Sequence, residues 1–183
     1  MTENPSPSPS PSPSPKKKKG ETPTASGRSI DPRIVVFACN WCSYAGADTA
    51  GVMRIQHQPH FRMIRVMCSG RIQPAFVLRA FEKGADGVLV SGCHFGDCHY
   101  IFGNERAVEQ FDKTMNVVKL LGIDEGRLRL EWISAAEGAR FAEVIDEFTD
   151  QVRALGPSPF ATSDAIEEIE IPETETETET ERN

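Results

Sequence analysis

The chain has 183 residues, 39% of them hydrophobic, and a net charge of −7 from 27 acidic and 20 basic side chains. That length supports one ordinary domain with a core of its own. No apolar stretch approaches the roughly 20 residues of a membrane-spanning helix and no export signal is present, so the protein is expected to be soluble and cytoplasmic, with no membrane partner. The charge is uneven: residues 28–160 hold 15 bases against 16 acids, whereas residues 161–183 hold nine acids and one arginine. The low pI therefore describes a tail and gives the folded part no bias toward nucleic acid.

The chain opens on a predicted arm over 1–29. Pro5 to Pro15 is a Ser-Pro alternation followed by Lys16 to Lys19. Nothing in it is apolar enough to be buried, and it is expected to be disordered, with the lysines solvated and non-specific. Residues 30–160 are expected to form the folded domain. Arg33 to Ala38 is a short apolar, β-branched run that fits a strand covered on both faces. Tyr44 to Ile55 carries helix formers and small residues, and His57-Gln58-Pro59-His60 breaks it. Phe61 to Met67 returns to strand character. Pro74 opens a second helix with Phe76, Val77, Ala80 and Phe81 at helical spacing, and Lys83-Gly84 closes it.

Gly87 to Ser91 reads as the third strand and runs straight into Gly92-Cys93-His94-Phe95-Gly96-Asp97-Cys98-His99. A long helix is predicted over Asn104 to Leu121, with Val108, Phe111, Met115 and Leu120 as core contacts and a stop at Gly122. Leu128 to Ile133 is the fourth strand. The last helix, Ala136 to Leu155, shows an apolar stripe at Phe141, Val144, Ile145, Phe148 and Val152 and terminates at Gly156-Pro157. From 161 to 183 acids and a Glu-Thr repeat leave too little apolar surface to offset the entropy of ordering, so a disordered tail is expected.

Strands alternating with helices predict an α/β fold: an open, mostly parallel four-stranded sheet of order 2-1-3-4, flavodoxin-like, with helices on both faces and right-handed crossovers. Ligands of such sheets sit beyond the carboxyl ends of the strands where the order reverses, here between strands one and three. The five cysteines can be tested against that geometry. Cys39 follows strand one, Cys68 follows strand two, Cys93 follows strand three after one glycine, and Cys42 and Cys98 ride on the same loops. All five are expected to converge at one edge of the sheet.

An odd number of cysteines in a reducing compartment reads as metal ligands or redox thiols rather than a disulfide frame. Burial as small hydrophobes would suit one or two of them; it suits poorly the polar, glycine-containing loops that hold the rest. Thiolate-only ligation fits zinc and iron–sulfur clusters alike. A domain with four strands and four helices to bury has no need of a structural zinc, which favours a redox centre. Four cysteines complete a [2Fe–2S] cluster and leave the fifth as a neighbour, with backbone N–H groups around Gly92 and Gly96 as donors to sulfur.

His94 and His99 flank the site as ligands or, more ordinarily, as outer hydrogen-bond donors or plain surface. Asp97 suits a turn cap as well as an orienting carboxylate. Arg54, Arg62, Arg65, Arg71 and Arg79 gather around strand two, where they offset the charge of a thiolate-ligated cluster, dock a partner or are simply solvated. Ser43, Ser69 and Ser91 lack a paired base, and neither a G-x-G-x-x-G nor a P-loop is present, so independent catalysis is not expected. Two other readings remain open on the residues: a zinc-stabilised adaptor, and a thiol–disulfide oxidoreductase working through Cys39 and Cys42.

Three stretches carry a family pattern: Phe37-Ala-Cys-Asn-Trp-Cys-Ser-Tyr-Ala-Gly-Ala-Asp48, Arg65-Val-Met-Cys-Ser-Gly-Arg71 and Gly87-Val-Leu-Val-Ser-Gly-Cys-His-Phe-Gly-Asp-Cys-His-Tyr100. Together they resemble the delta subunit of methyl-viologen-reducing hydrogenase over about Arg33 to Leu155, with all five expected cysteine positions filled. The resemblance implies an electron-transfer subunit with one [2Fe–2S] cluster, ligated by four of Cys39, Cys42, Cys68, Cys93 and Cys98. It also implies the partners: a hydrogenase or formate dehydrogenase as donor, and the flavin-containing subunit of heterodisulfide reductase as acceptor, in methanogenic archaea and related anaerobes.

Overall fold

The structure, a computed structural model, describes residues 31–161; the expected arm over 1–29 and the tail past Ala161 lie outside the described residues. In chain order the elements are β1 (Ile34–Cys39), α1 (Ser43–Val52), β2 (Phe61–Val66), α2 (Pro74–Glu82), β3 (Gly87–Gly92), α3 (Gly103–Leu120), β4 (Leu128–Trp132) and α4 (Gly138–Leu155). Short 3-10 turns cover Ser69–Arg71 and Glu125–Arg127. The strands form one parallel sheet in the order β2-β1-β3-β4, as the alternation predicted. Ala38 lies opposite Arg65 on one side and Ser91 on the other, so the carboxyl ends of β1, β2 and β3 finish nearly flush.

The period of two along β1 sorts the core. Ile34, Val36 and Ala38 join Leu89 and Ile133 on the face covered by α1 and α4, whose Ala50, Phe141, Val144, Ile145, Phe148 and Val152 complete that cluster. Phe37, Val88, Val90 and Leu128 face the other way, onto Val77 and Phe81 of α2 and Val118 of α3. The predicted α4 stripe is buried in full. In α3 the contacts differ from expectation: Leu120 is 86% exposed, and the buried positions are Gly103, Asn104, Ala107, Thr114 and Val118, with Phe111 and Met115 packed partly against the core. Positions 107, 111, 114 and 118 recur at intervals of about 3.6 residues on one side of the helix, whereas position 120 falls outside that stripe.

The amino end of the sheet is tied by hydrogen bonds among buried polar groups. Asp86, before β3, accepts the backbone N–H of Arg33 at 2.9 Å on one carboxylate oxygen and that of Ser158 at 2.8 Å on the other. Buried Arg127 donates to the carbonyls of Asp86 (3.0 Å), Leu155 (3.0 Å), Gly156 (2.9 Å) and Pro157 (3.0 Å). Carbonyls at the end of α4 that have no helical partner thus receive charged donors. β2, at the sheet edge, is only partly covered on the face of α2, where Val66 packs against the core. Phe61 and Met63 pack beneath α4 and α1, while Ile64, paired with Phe37 across the sheet, stays 46% exposed on the face of α2.

Candidate metal centre

β1 ends in Cys39, and two contacts of one serine fix the turn after it. Ser43, fully buried at the start of α1, accepts the N–H of Cys39 at 2.9 Å and donates to the carbonyl of Ser91 in β3 at 3.0 Å. One hydroxyl therefore pins the Cys39–Cys42 turn to the neighbouring strand. Cys42 stands at the N-cap of α1, its carbonyl accepting the N–H of Gly46 at 2.8 Å. Cys93 leaves β3 one residue past its end, and because β3 adjoins β1 the Sγ atoms of Cys39 and Cys93 lie 3.8 Å apart. The sulfurs of Cys39, Cys42 and Cys93 all fall within 4.8 Å of one another. Cys98 packs against this trio.

Cys68 arrives from β2. Its sulfur and that of Cys98 meet at Gly103, the first residue of α3: a Cβ there would stand 2.9 Å from the Cys98 sulfur and would overlap that of Cys68. Only glycine lets both thiols and the helix share that space. The carbonyl of Met67, next to Cys68, is 3.8 Å from the Cys39 sulfur, which closes the ring of loops. The structure thus gathers three predicted cysteines tightly and sets the remaining two beside them. The loop that carries Cys98 also holds Ile101 at φ 67°, a left-handed conformation that costs a β-branched residue about 1–2 kcal/mol.

Burial and mutual contact decide which thiol ionises. Cys39, Cys93, Cys42 and Cys68 are 1%, 2%, 6% and 6% exposed. Hydrogen bonds from the Cys42 and Cys93 thiols hold Cys39 far below the usual thiol range, near 2. Cys42 is driven strongly upward by its contacts with Cys39 and Cys93 and by burial. Cys93 is pushed up to about 12, chiefly by Cys39, and Cys68 is raised by burial. The trio favours one thiolate at a time; a cation is what would allow several. The donors are soft sulfur, with no carboxylate or imidazole among the three, and this set fits zinc or an iron–sulfur cluster.

The two histidines are engaged elsewhere. His94 Nε2 lies 2.7 Å from Glu137 Oε2, which also accepts the Ser134 N–H at 2.7 Å, and Asn104 donates to the His94 carbonyl at 2.8 Å. The Ser134 amide and then His94 hold the Glu137 carboxyl down at about 2. The ring of His99 stacks on Trp41 at 3.9 Å, and Trp41 Nε1 donates to the Tyr100 hydroxyl at 3.3 Å. Among the arginines, Arg65 lies 5.1 Å over the ring of Tyr44 and Arg79 pairs with Glu82 at 2.7 Å. Sequence reasoning missed Ser43, Gly103, Asn104 and Glu137. Only Glu137 left a readable trace, since Ser134-x-x-Glu137 has the spacing of a helix-capping box.

The chain matches the family model described as methyl-viologen-reducing hydrogenase, delta subunit, over residues 34–156. It is 51% identical over 127 residues to the vhc iron-sulfur subunit of the F420-non-reducing hydrogenase of Methanococcus voltae, covering 69% of this chain and 88% of that one. It is 50% identical over 130 residues to the iron-sulfur subunit of the F420-non-reducing hydrogenase of Archaeoglobus profundus, covering 71% and 95%. A third relative is one of the subunits of the ferredoxin/F(420)H(2)-dependent CoB-CoM heterodisulfide reductase of Methanosarcina acetivorans, 52% identical over 126 residues that make up 69% of this chain but 16% of the longer protein. With the matched region spanning the whole sheet and every cysteine of the centre, the chain belongs to the family of the methyl-viologen-reducing hydrogenase delta subunit.

Proposed function

We propose that this chain is a non-catalytic electron-transfer subunit that holds one [2Fe–2S] cluster and relays electrons from a hydrogenase or formate dehydrogenase to the flavin-containing subunit of heterodisulfide reductase. The cluster-bearing domain is residues 30–160. The observation that carries the reading is the group of Cys39, Cys42 and Cys93 sulfurs within 4.8 Å at the carboxyl ends of β1 and β3, with Cys98 against them. Four of Cys39, Cys42, Cys68, Cys93 and Cys98 ligate; Cys39 and Cys93, on adjacent strands, belong to the set. Bound there, the cluster supplies a site that gains and loses one electron.

The chain's own residues do the rest. Ser43 holds the Cys39 turn against β3, and Gly103 keeps α3 close behind Cys68 and Cys98. His94, fixed by Glu137 and Asn104, and His99, fixed by Trp41, stiffen the loop between Cys93 and Cys98 as outer supports. Outside the cysteines lies an exposed apolar rim of Trp41, Met67, Phe95, Ile101 and Phe102, suited to docking a partner near the centre. The Methanosarcina relatives, in which a similar stretch forms part of a longer heterodisulfide reductase polypeptide, favour that protein as the acceptor. Burial of Cys39 and Cys42 weighs against the dithiol reading, since a thiol that attacks a disulfide must reach it.

The test is anaerobic purification with iron, zinc and acid-labile sulfide analysis beside an EPR spectrum of the dithionite-reduced protein. About two irons and two sulfides per chain with a reduced-cluster signal are expected. Zinc without sulfide would replace the relay with an adaptor.

A further inference from the structure

The face of β2 turned toward α2 leaves room for a further element. Two hollows of about 740 and 830 Å³ run into each other along it, sharing Phe37, Ile64 and Phe76. The resulting trough reaches from Arg33 and Gly84 at the amino end of the sheet to Cys68 and Gly103 at the carboxyl end. Its floor is apolar, and Ile64 and Phe76 on that floor remain 46% and 53% exposed.

Charge sets this face apart from the rest of the domain. Arg33, Arg62, Arg79 and Lys83 stand around the first hollow and Arg71 and Arg106 around the second, all exposed. Against them Asp31 is the one carboxylate among the described lining residues, and it lies 3.4 Å from His60. Residues 28–160 as a whole hold 15 bases against 16 acids, so the cations gathered here leave the remaining surface acidic. Arg33 reaches Asp86 at 3.8 Å and Arg79 reaches Glu82 at 2.7 Å. Arg62, Arg71, Lys83 and Arg106 form no ion pair with another described residue. An apolar floor between basic walls is the complement of an amphipathic helix whose apolar stripe is flanked by carboxylates. The length also suits: a strand like β2 spans roughly 20 Å, which a helix of about 13 residues covers at its ordinary rise.

The carboxyl end of the trough says which partner gains from seating there. Cys68 lines the second hollow together with Met67 and Phe102 of the apolar rim, so a chain bound in the trough ends beside the cysteine centre. We infer that the trough over β2 seats an acidic, apolar-striped helix of the electron acceptor and so holds that acceptor against the centre. This rests on the relay proposed above and adds to it the docking surface and the charge of the partner. The unpaired cations also steer an acidic partner toward this face before contact.

Anaerobic calorimetric titration of the full chain, its metal content intact, against the purified flavin-containing subunit of heterodisulfide reductase tests it. The parent chain is expected to bind, and to bind more weakly as salt rises. R71E/R106E and R62E/K83E should each weaken binding at least about tenfold at low salt. K113E/K119E makes the same change of charge on α3 outside the trough and should leave binding within about twofold. Phe76→Ser should weaken it at high salt as well, because apolar contact is not screened. All these positions are exposed, so circular dichroism and iron content should stay unchanged. Failure of the parent to bind, trough variants that bind like the parent, or equal losses in the trough and α3 variants would overturn the inference. Binding of the purified hydrogenase in place of the flavin subunit would overturn the acceptor assignment. A mass in light scattering that rises with concentration and drops in R71E/R106E would also overturn it, by giving the trough to a second copy. The relay itself fails by a separate sign, zinc without sulfide.

Discussion

The two ends of this sheet bury polar chemistry in opposite ways. At the amino end, Asp86 and Arg127 are met largely by the chain itself: two backbone amides for the carboxylate and four carbonyls for the terminal guanidinium nitrogens, with only the buried Arg127 Nε lacking a partner among the described residues. At the carboxyl end, the thiols have mainly one another, and their mutual contacts push Cys42 and Cys93 upward while holding Cys39 down. The first arrangement is nearly complete as protein and reads as structure. The second becomes favourable when a cation takes several thiolates at once, and it reads as a site. The sharpest separation should come from Cys39→Ser or Cys93→Ser. Either is expected to remove all the iron and sulfide while far-ultraviolet circular dichroism keeps most of its amplitude; a variant with full iron would defeat the ligand assignment.

The converse test attacks the amino end. Arg127→Ala strands four buried or half-buried carbonyls and should cost about 3–5 kcal/mol in denaturant unfolding, with the iron per folded chain unchanged. A fall in iron per folded chain would show that the two ends are coupled. Between these extremes lies Gly103→Ala. An alanine at a helix start would ordinarily gain up to about 1 kcal/mol over glycine, but here its methyl meets the sulfurs of Cys68 and Cys98. Overpacking costs about 1–3 kcal/mol, so the net expectation is a loss of roughly 1–2 kcal/mol and reduced iron occupancy, read by titration and metal analysis.

The carboxyl end was the more legible in the sequence, for a physical reason. Cysteine is uncommon, and its placement directly after Ala38, Met67 and Gly92 coincides with strand ends that β-branched runs announce; once those strands lie in the order 2-1-3-4 the thiols must meet. The amino end gave no such signal. Asp86 and Arg127 are ordinary residues in turns, and nothing local says that one will accept amides 53 and 72 positions away. Leu120 shows the limit of composition: it ends a helix among apolar neighbours, yet lies off the stripe that Ala107, Phe111, Thr114 and Val118 define. Gly103 was invisible because its role is an absence of volume beside two sulfurs.

The finest test concerns Glu137, which sits between the two modes: a protein-satisfied carboxylate that also anchors His94 in the cysteine loop. Its carboxyl is held at about 2 against an ordinary value of 4.5, first by the Ser134 amide and then by His94. A depressed folded value means that the ionised form adds stability above the unfolded value, and that this contribution is lost as the pH falls from about 4.5 through 2. Because the side chain is 40% exposed, solvent screening holds the effect to no more than about 1 kcal/mol. Glu137→Gln should therefore lower stability slightly at pH 7 and converge on the parent at the acid end of that window. If instead the two curves ran parallel from pH 7 down to 2, the carboxylate would contribute packing alone, and the fixing of His94 would have to come from Asn104 and the turn itself.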